Sequence, residues 1–183
     1  MVPERILVIG PSGSGKTTLA AHLADLTDLP VHHLDEIVRP NGDRGPEAST
    51  SARASAVAAI LDSPRWIAEG VHVDDWTQPL IDAADTIVWL DHVRWQRSSG
   101  RVLRRFVSGA LTEARRRRGR ERFLRVRDYG RKLRELAVSL PDTRAFPDDH
   151  VAQLLSGYTD KVVRCHSQAD VDQLAERVRS EAT

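Results

Sequence analysis

The stretch Gly10-Pro11-Ser12-Gly13-Ser14-Gly15-Lys16-Thr17 decides the fold of this 183-residue chain. It follows the short apolar run Arg5–Ile9, and it precedes a segment in which Leu19, Leu23 and Leu26 recur at helical spacing. A strand, a glycine loop and a helix in this order, with the spacing G-x-x-x-x-G-K-[ST], are typical of a phosphate-binding loop. The pattern therefore predicts that residues 10–17 bind the phosphates of a nucleotide.

The residue types in this loop have a physical reason. Glycines allow backbone N–H groups to surround an anion, and the N-terminus of the following helix adds unpaired donors and a positive dipole end. Lys16 can reach the β- and γ-phosphates from the loop surface, and the Thr17 hydroxyl can ligate Mg²⁺. The residues expected to contact ATP here are Gly10, Pro11, Ser12, Gly13, Ser14, Gly15, Lys16, Thr17 and Thr18.

Length and composition indicate one soluble globular domain over residues 1–183. Hydrophobic residues make up 40% and charged residues 29% of the chain, which is ordinary for that class. We expect no signal peptide and no membrane-spanning segment, since no apolar run approaches the required length. Cys165 is the only cysteine, so an internal disulfide is impossible and a cytoplasmic location is expected. Its thiol is expected to be a small buried apolar group.

Positive charge is concentrated in one segment. Residues 101–134 contain fourteen Lys or Arg and three Asp or Glu, although the formal net charge of the whole chain is only +1. Such a segment faces an anionic partner or solvent. For the run Arg115–Arg118 three interpretations stay open, in this order: a lid that closes on phosphates, a solvated helix face, and a nucleic-acid patch.

The rest of the chain alternates short apolar runs with helical patterns. Strands are expected at 5–9, 31–35, 66–70, 86–91 and 161–165, and helices at 18–27, 48–61, 93–107, 122–140 and 169–178, with a short one through Leu80 and Ile81. This alternation predicts an α/β fold with a mostly parallel five-stranded sheet and helices on both faces.

Acidic residues stand near the carboxyl ends of three of the expected strands. Asp35, Glu69 and Asp91 each stand at or next to a strand's carboxyl end, where open α/β sheets bind their ligands. Mg²⁺ prefers oxygen ligands and keeps several waters, so one of these carboxylates could hold it through water beside Thr17. Each could equally be a structural acid, with Asp35 or Asp91 capping the turn or helix that follows. His32 and His33 are expected to pack or to contact substrate, since no zinc-type spacing accompanies them.

The chain resembles P-loop kinases of the adenylate-kinase-like group. More closely, it is similar to the small ATPases called DNA topology modulation proteins, and the similarity runs from about residue 5 to 178. Besides the loop, the matching stretches are His33-Leu34-Asp35, Trp66-Ile67-Ala68-Glu69-Gly70, Ala84–Asp91, Arg101-Val102-Leu103-Arg104-Arg105 and the segment 162–174.

The resemblance implies a P-loop NTPase fold of three layers with strand order 2-3-1-4-5. It also implies an acceptor-side insertion at about 36–62 and a small basic lid at about 109–127. Arg101 and Arg105 would contact the adenine or the γ-phosphate of ATP, and His166-Ser167-Gln168 would lie beside the adenine. One departure stands out: nucleoside monophosphate kinases carry Asp-Gly-x-Pro-Arg at the third strand, whereas this chain has Glu69-Gly70-Val71-His72-Val73.

The expected chemistry is transfer of the γ-phosphoryl group of ATP to a small acceptor, a nucleotide, nucleoside or metabolite. Lys16, Arg101 and Arg105 would neutralise the transferred charge, and Asp35 would orient the acceptor hydroxyl. Thr17 and Glu69 would hold Mg²⁺. The alternative function is a regulatory ATPase that acts with nucleic acid through the basic segment.

Overall fold

The fold is built on five parallel strands. The computed structural model describes residues 3–41, 46–91 and 148–182. The strands are β1 (Arg5–Ile9), β2 (Val31–His33), β3 (Trp66–Gly70), β4 (Thr86–Leu90) and β5 (Val162–Cys165). Their order across the sheet is β2-β3-β1-β4-β5, and every pairing is parallel. The predicted α/β sheet and its order 2-3-1-4-5 are confirmed.

Helices cover both faces of this sheet. They are α1 (Lys16–Thr27), α2 (Leu34–Val38), α3 (Thr50–Leu61), α4 (Gln78–Ala83), α5 (Asp148–Leu155) and α6 (Gln168–Ala182), with 3₁₀ turns at Asp75–Thr77 and Ser156–Tyr158. The helices expected at 18–27, 48–61 and through Leu80 are confirmed, with the first beginning two residues earlier than expected, and the last helix is longer than expected. No helix in these described ranges is both long and apolar enough to cross a membrane.

The structure differs from the predictions at the end of β2 and at helix α5. The second strand ends at His33, and Leu34 and Asp35 already belong to helix α2. The reason is packing: Leu34 is fully buried, and a Cβ added to Gly70 would lie only 2.8 Å from the Leu34 Cβ. Helix α5 was not expected at all, because its eight residues follow a region that prolines mark as a loop.

The core has two halves, one on each side of the sheet. Alternate residues of a strand point to opposite faces. Ile6, Val8 and Ile67 therefore pack with α1 and α6, whereas Leu7 and Ala68 pack with α3, α4 and α5. This sandwich of helix, sheet and helix fixes the carboxyl ends of β1, β2 and β3 side by side, and the candidate site lies at that edge.

Several sequence predictions lie outside the described residues. These are the helices at 93–107 and 122–140, the lid at 109–127, the run Arg115–Arg118, and Arg101 and Arg105.

Candidate active site

The loop between β1 and α1 has the backbone of an anion cradle. Gly10, Gly13 and Gly15 have φ values of 152°, 77° and 100°, which L-residues with a side chain rarely adopt. A Cβ on Gly10 would also lie 2.8 Å from the carbonyl oxygen of Leu90 at the end of β4. The loop can therefore pack tightly against β4 only because position 10 has no side chain.

Substituting Gly10 tests this packing. We expect Gly10→Ala to lower the free energy of unfolding by about 1–3 kcal/mol, because it combines an unfavourable φ with a clash against backbone. Gly157→Ala is the matched control, since a Cβ there meets nothing within 4 Å. Urea unfolding of both variants measures the difference, and equal stabilities would show that the close approach of Gly10 to Leu90 is not needed.

Lys16 lies inside the loop and not at its surface, which corrects the sequence expectation. The residue is only 6% exposed, and its Nζ donates a hydrogen bond to the Pro11 carbonyl oxygen at 3.0 Å. The loop curls around the ammonium because a buried charge needs hydrogen-bond acceptors. Phosphate oxygens bound in the loop would offer the same ammonium stronger, charged acceptors.

Thr17, Glu69 and His33 form a hydrogen-bonded chain at the edge of the sheet. The Thr17 hydroxyl donates to Glu69 Oε1 at 3.0 Å, and His33 Nδ1 lies 2.7 Å from the same oxygen. The sheet register explains this contact, because His33 and Glu69 are paired residues of β2 and β3. Glu69 is two residues beyond Ile67, so its side chain points to the same face of the sheet, on which α1 packs. Thr17 lies in the first turn of α1.

These groups fit a nucleotide and Mg²⁺. Glu69 is 5% exposed, and a carboxylate so well buried needs partners of opposite polarity. A hydroxyl and a carboxylate 3.0 Å apart are suitable oxygen donors for Mg²⁺ and its waters. The Ser14 Oγ inside the loop is buried and has no hydrogen-bond partner among the described residues, which leaves one polar group available to a ligand.

Asp35 lies in the first turn of α2, next to His72. Its Oδ1 is 3.4 Å from His72 Nε2, and its side chain is 64% exposed. The hydrogen bond from His72 lowers the pKa of Asp35, and the charges of His72 and Lys16 and the Val71 N–H lower it further, while burial opposes them. Asp35 therefore stays ionised to a lower pH than an ordinary aspartate, and the positive charge of Lys16 contributes to this.

Sequence reasoning missed His72 as a site residue. Its two ring nitrogens face two carboxylates, Asp35 at 3.4 Å and Asp74 at 3.7 Å, and its ring packs against Trp76 with centroids 5.6 Å apart. The signal in the sequence was the stretch Val71-His72-Val73, which departs from the Asp-Gly-x-Pro-Arg pattern of nucleoside monophosphate kinases. Only the folded chain shows that this histidine lies against Asp35.

Asp91 has different partners from the other two acids. Its Oδ2 accepts a hydrogen bond from Arg164 Nε at 2.8 Å, forms an ion pair with Arg164 Nη2 at 2.6 Å and lies 3.3 Å from His166 Nδ1. The Arg164 guanidinium also covers the Trp89 ring at 4.0 Å. Asp91 thus joins the ends of β4 and β5, while Glu69 is the acid that contacts Thr17.

A cleft of about 410 Å³ opens beside the loop, between α1 and α6. Gly15 and Thr18 line its wall at the phosphate loop, and Gln168 and Asp172 line its wall on α6. The backbone N–H groups of His166 and Ser167 donate to the Asp170 carboxylate, which fixes the turn into α6. Of the expected loop 166–168, Gln168 lines this cavity, and its place beside the adenine stays a prediction.

Cys165 is buried at the end of β5, as expected. Desolvation raises the pKa of its thiol to about 11.

Three solved structures are similar to the chain. A gluconokinase from Sinorhizobium meliloti 1021 aligns over 100% of this chain and 99% of its own, with 18% identity and a TM-score of 0.50. A deoxyadenosine kinase from M. mycoides with bound dATP aligns over 96% and 97%, with 12% identity and a TM-score of 0.53. A sugar kinase from Janibacter sp. HTCC2649 has 25% identity and a TM-score of 0.40 over 54% of this chain, which spans 65% of that kinase.

The first two of these structures establish the fold. At 12–18% identity they show that the chain has the fold of P-loop kinases, and they show nothing finer. No protein-family model matches the chain, and no curated protein matches it either. The loop, the strand order and these structures agree on the P-loop kinase fold.

Proposed function

We propose that this protein transfers the γ-phosphoryl group of ATP to a small acceptor. The observation that carries the proposal is the arrangement at the end of β1: a glycine cradle, the Lys16 ammonium inside it, and the Thr17 hydroxyl on Glu69 at 3.0 Å. A transferred phosphoryl group needs charge stabilisation and alignment more than covalent chemistry, and these groups supply both.

The nucleotide would lie along the loop and the neighbouring cleft. Its phosphates would accept hydrogen bonds from the backbone of residues 10–17, and its nucleoside would extend toward Thr18 and Gln168 in the 410 Å³ cleft. Mg²⁺ would be held by Thr17 and, through water, by Glu69. Its contribution, when bound, is to neutralise and align the β- and γ-phosphates.

Asp35 would face the acceptor hydroxyl from the opposite side. A carboxylate whose pKa is lowered is a weak base, so its main task is to orient the hydroxyl by accepting its hydrogen bond. This suits phosphoryl transfer, since its loose transition state needs little proton removal in advance. The charge of Lys16 acts on Asp35, which supports a site in which Lys16 lies between the bound ATP and the acceptor.

Further parts of the proposal come from the sequence. Residues 1–183 would form one domain, with an acceptor-side insertion at about 36–62 and a basic lid at about 109–127. Arg101 and Arg105 would contact the bound ATP, and the protein would work in the cytoplasm. The similarity to DNA topology modulation proteins stays a hypothesis, with the regulatory ATPase as the alternative function.

An ADP-release assay tests the proposal. The full chain with Mg²⁺ and ATP is given small metabolites and nucleosides in one series and duplex DNA in another. We expect ADP release that depends on a small acceptor. Release that only duplex DNA stimulates would favour the regulatory ATPase and overturn the kinase.

Glu69 gives a prediction about Mg²⁺ that does not need the acceptor. We expect Glu69→Gln to weaken Mg²⁺ binding in the presence of a non-hydrolysable ATP analogue by about 10- to 100-fold, the usual effect of losing an outer-shell partner. Calorimetric Mg²⁺ titration measures it. Glu4→Gln is the control, because Glu4 lies before β1 at the other end of the sheet. An unchanged Mg²⁺ affinity in Glu69→Gln would exclude Glu69 from the metal shell.

A further inference from the structure

A second cleft is lined by residues of α2, among them Asp35, and by the turn after β3. It has a volume of about 370 Å³ and lies where β2 and β3 end, between α2 and the turn after Gly70. Asp35, which feels the Lys16 charge, lines it together with His72. Because Asp35 would orient the acceptor hydroxyl in the proposed kinase, the cleft that it lines is the candidate acceptor cleft. The charge of this cleft then limits what it can bind.

The cationic side chains at this cleft, among the described residues, are already engaged. Arg39 Nη2 lies 3.0 Å from Glu47 Oε1. Arg53 donates its Nε hydrogen to the Ala48 carbonyl oxygen at 3.1 Å, and its guanidinium lies 6.0 Å from the centre of the Trp76 ring. His72 has a carboxylate at each ring nitrogen. Phosphate and carboxylate recognition ordinarily uses a guanidinium that is open to bidentate contact.

Among the residues that the structure describes, the carboxylates of this cleft outnumber its cations. Asp35, Glu36 and Glu47 line it against the single guanidinium of Arg39. Asp35 and Glu36 are exposed, so their charges face whatever enters. An anionic acceptor would meet like charges there, which destabilises its binding, whereas an uncharged or cationic one would not.

We propose that the acceptor is a hydroxyl compound with no phosphate or carboxylate group of its own, such as an uncharged polyol or nucleoside; this rests on the kinase function proposed above. The acceptor oxygen forms a bond to the γ-phosphorus, and the bond from that phosphorus to the β,γ-bridging oxygen breaks. ADP leaves with the bonding electron pair. The hydroxyl proton passes to Asp35 and from there to water. Each turnover thus converts an acceptor without an anionic group into its phosphate monoester.

The test separates acceptors by charge before the assay. A protein-free extract of bacterial metabolites is passed over an anion exchanger, which yields an unbound pool and an anionic pool freed of nucleoside triphosphates. The full chain is given Mg²⁺, ATP labelled with ¹⁸O in its γ-phosphoryl group, and each pool in turn. We expect labelled phosphate ester, detected by mass spectrometry, at a rate at least about tenfold higher with the unbound pool.

The other outcomes are distinct. A faster rate with the anionic pool would overturn the proposed acceptor class and leave the kinase function standing. Labelled inorganic phosphate alone from both pools, with no labelled ester, would overturn the kinase function and the acceptor class together.

Glu47→Gln tests the role of charge directly, because it releases Arg39 from its partner. We expect the rate with the anionic pool, relative to the unbound pool, to rise about two- to fivefold, the effect of one exposed charge pair. Glu4→Gln is the matched control, since Glu4 pairs with Arg65 at 3.9 Å away from the cleft. Equal ratios in both variants would overturn the idea that the charge of this cleft selects the acceptor.

Discussion

Replacing Lys16 with methionine should lower the rate of ATP turnover about 100- to 1000-fold, the usual cost of losing one preorganised donor at a developing charge. Methionine keeps the length of the buried stem, so the packing inside the loop is retained. The ammonium that now caps the Pro11 carbonyl oxygen at 3.0 Å is the group lost. Steady-state ADP release measures turnover, and thermal unfolding shows whether the chain stays folded.

Lys161→Met is the matched control for this experiment. Lys161 also donates to carbonyl oxygens, those of Ile81 and Asp82 at 2.8 Å each, but it lies before β5 and away from the phosphate loop. We expect Lys161→Met to keep its turnover even if its unfolding temperature falls. Unchanged turnover in Lys16→Met would remove the proposed mechanism, and equal losses in both variants would mean that the effect comes from stability alone.

Replacing Asp35 with asparagine should lower phosphoryl transfer about 100-fold or more, within the usual range for a positioned carboxylate. Binding of an ATP analogue should change much less, because in the proposed function Asp35 would contact the acceptor and not the nucleotide. Calorimetry measures binding, and acceptor-dependent ADP release measures transfer. Asp25→Asn, on the exposed face of α1, is the control. Equal loss of binding and transfer in Asp35→Asn would indicate a structural role.

The lowered pKa of Asp35 adds a pH profile to the same experiment. In the folded protein its carboxylate is protonated only below the ordinary value of 3.8, since His72 and Lys16 stabilise the ionised form. Any stability that this ionisation contributes is present above the unfolded pKa and is lost as the pH falls through the lower folded value. Protonation of Asp35 should therefore lower the rate of acceptor turnover only at pH values below 3.8. In His72→Gln this fall in rate should begin at a higher pH.

The sequence predicted the frame of the fold because local patterns carry it. The central strands β1, β3 and β4 are mostly apolar runs, and the glycine loop between β1 and α1 has a spacing that depends on backbone geometry. The end of β2 was wrong because it depends on packing: Leu34 leaves the strand to fill space beside Gly70, and no local pattern announces such a contact.

The candidate site was only partly visible in the sequence. Thr17 and Glu69 could be paired in advance, since strand ends of a parallel sheet meet at one edge. The burial of Lys16 could not, because it depends on how the loop closes around its own carbonyl groups. His72 was missed since a residue in a turn has no periodic pattern, and its contact with Asp35 joins two separate strand ends.

The strand order has a consequence for how the chain is made. β1 is synthesised first yet lies in the middle of the sheet, where Arg5 pairs with Trp66 and Ile6 with Thr86. The backbone N–H and C=O groups of this apolar strand therefore stay unpaired during synthesis until both flanking strands have emerged from the ribosome. Non-local parallel pairing of this kind forms slowly. Nascent chains that stop before β4 would therefore expose an unpaired edge of β1, which is a site for aggregation.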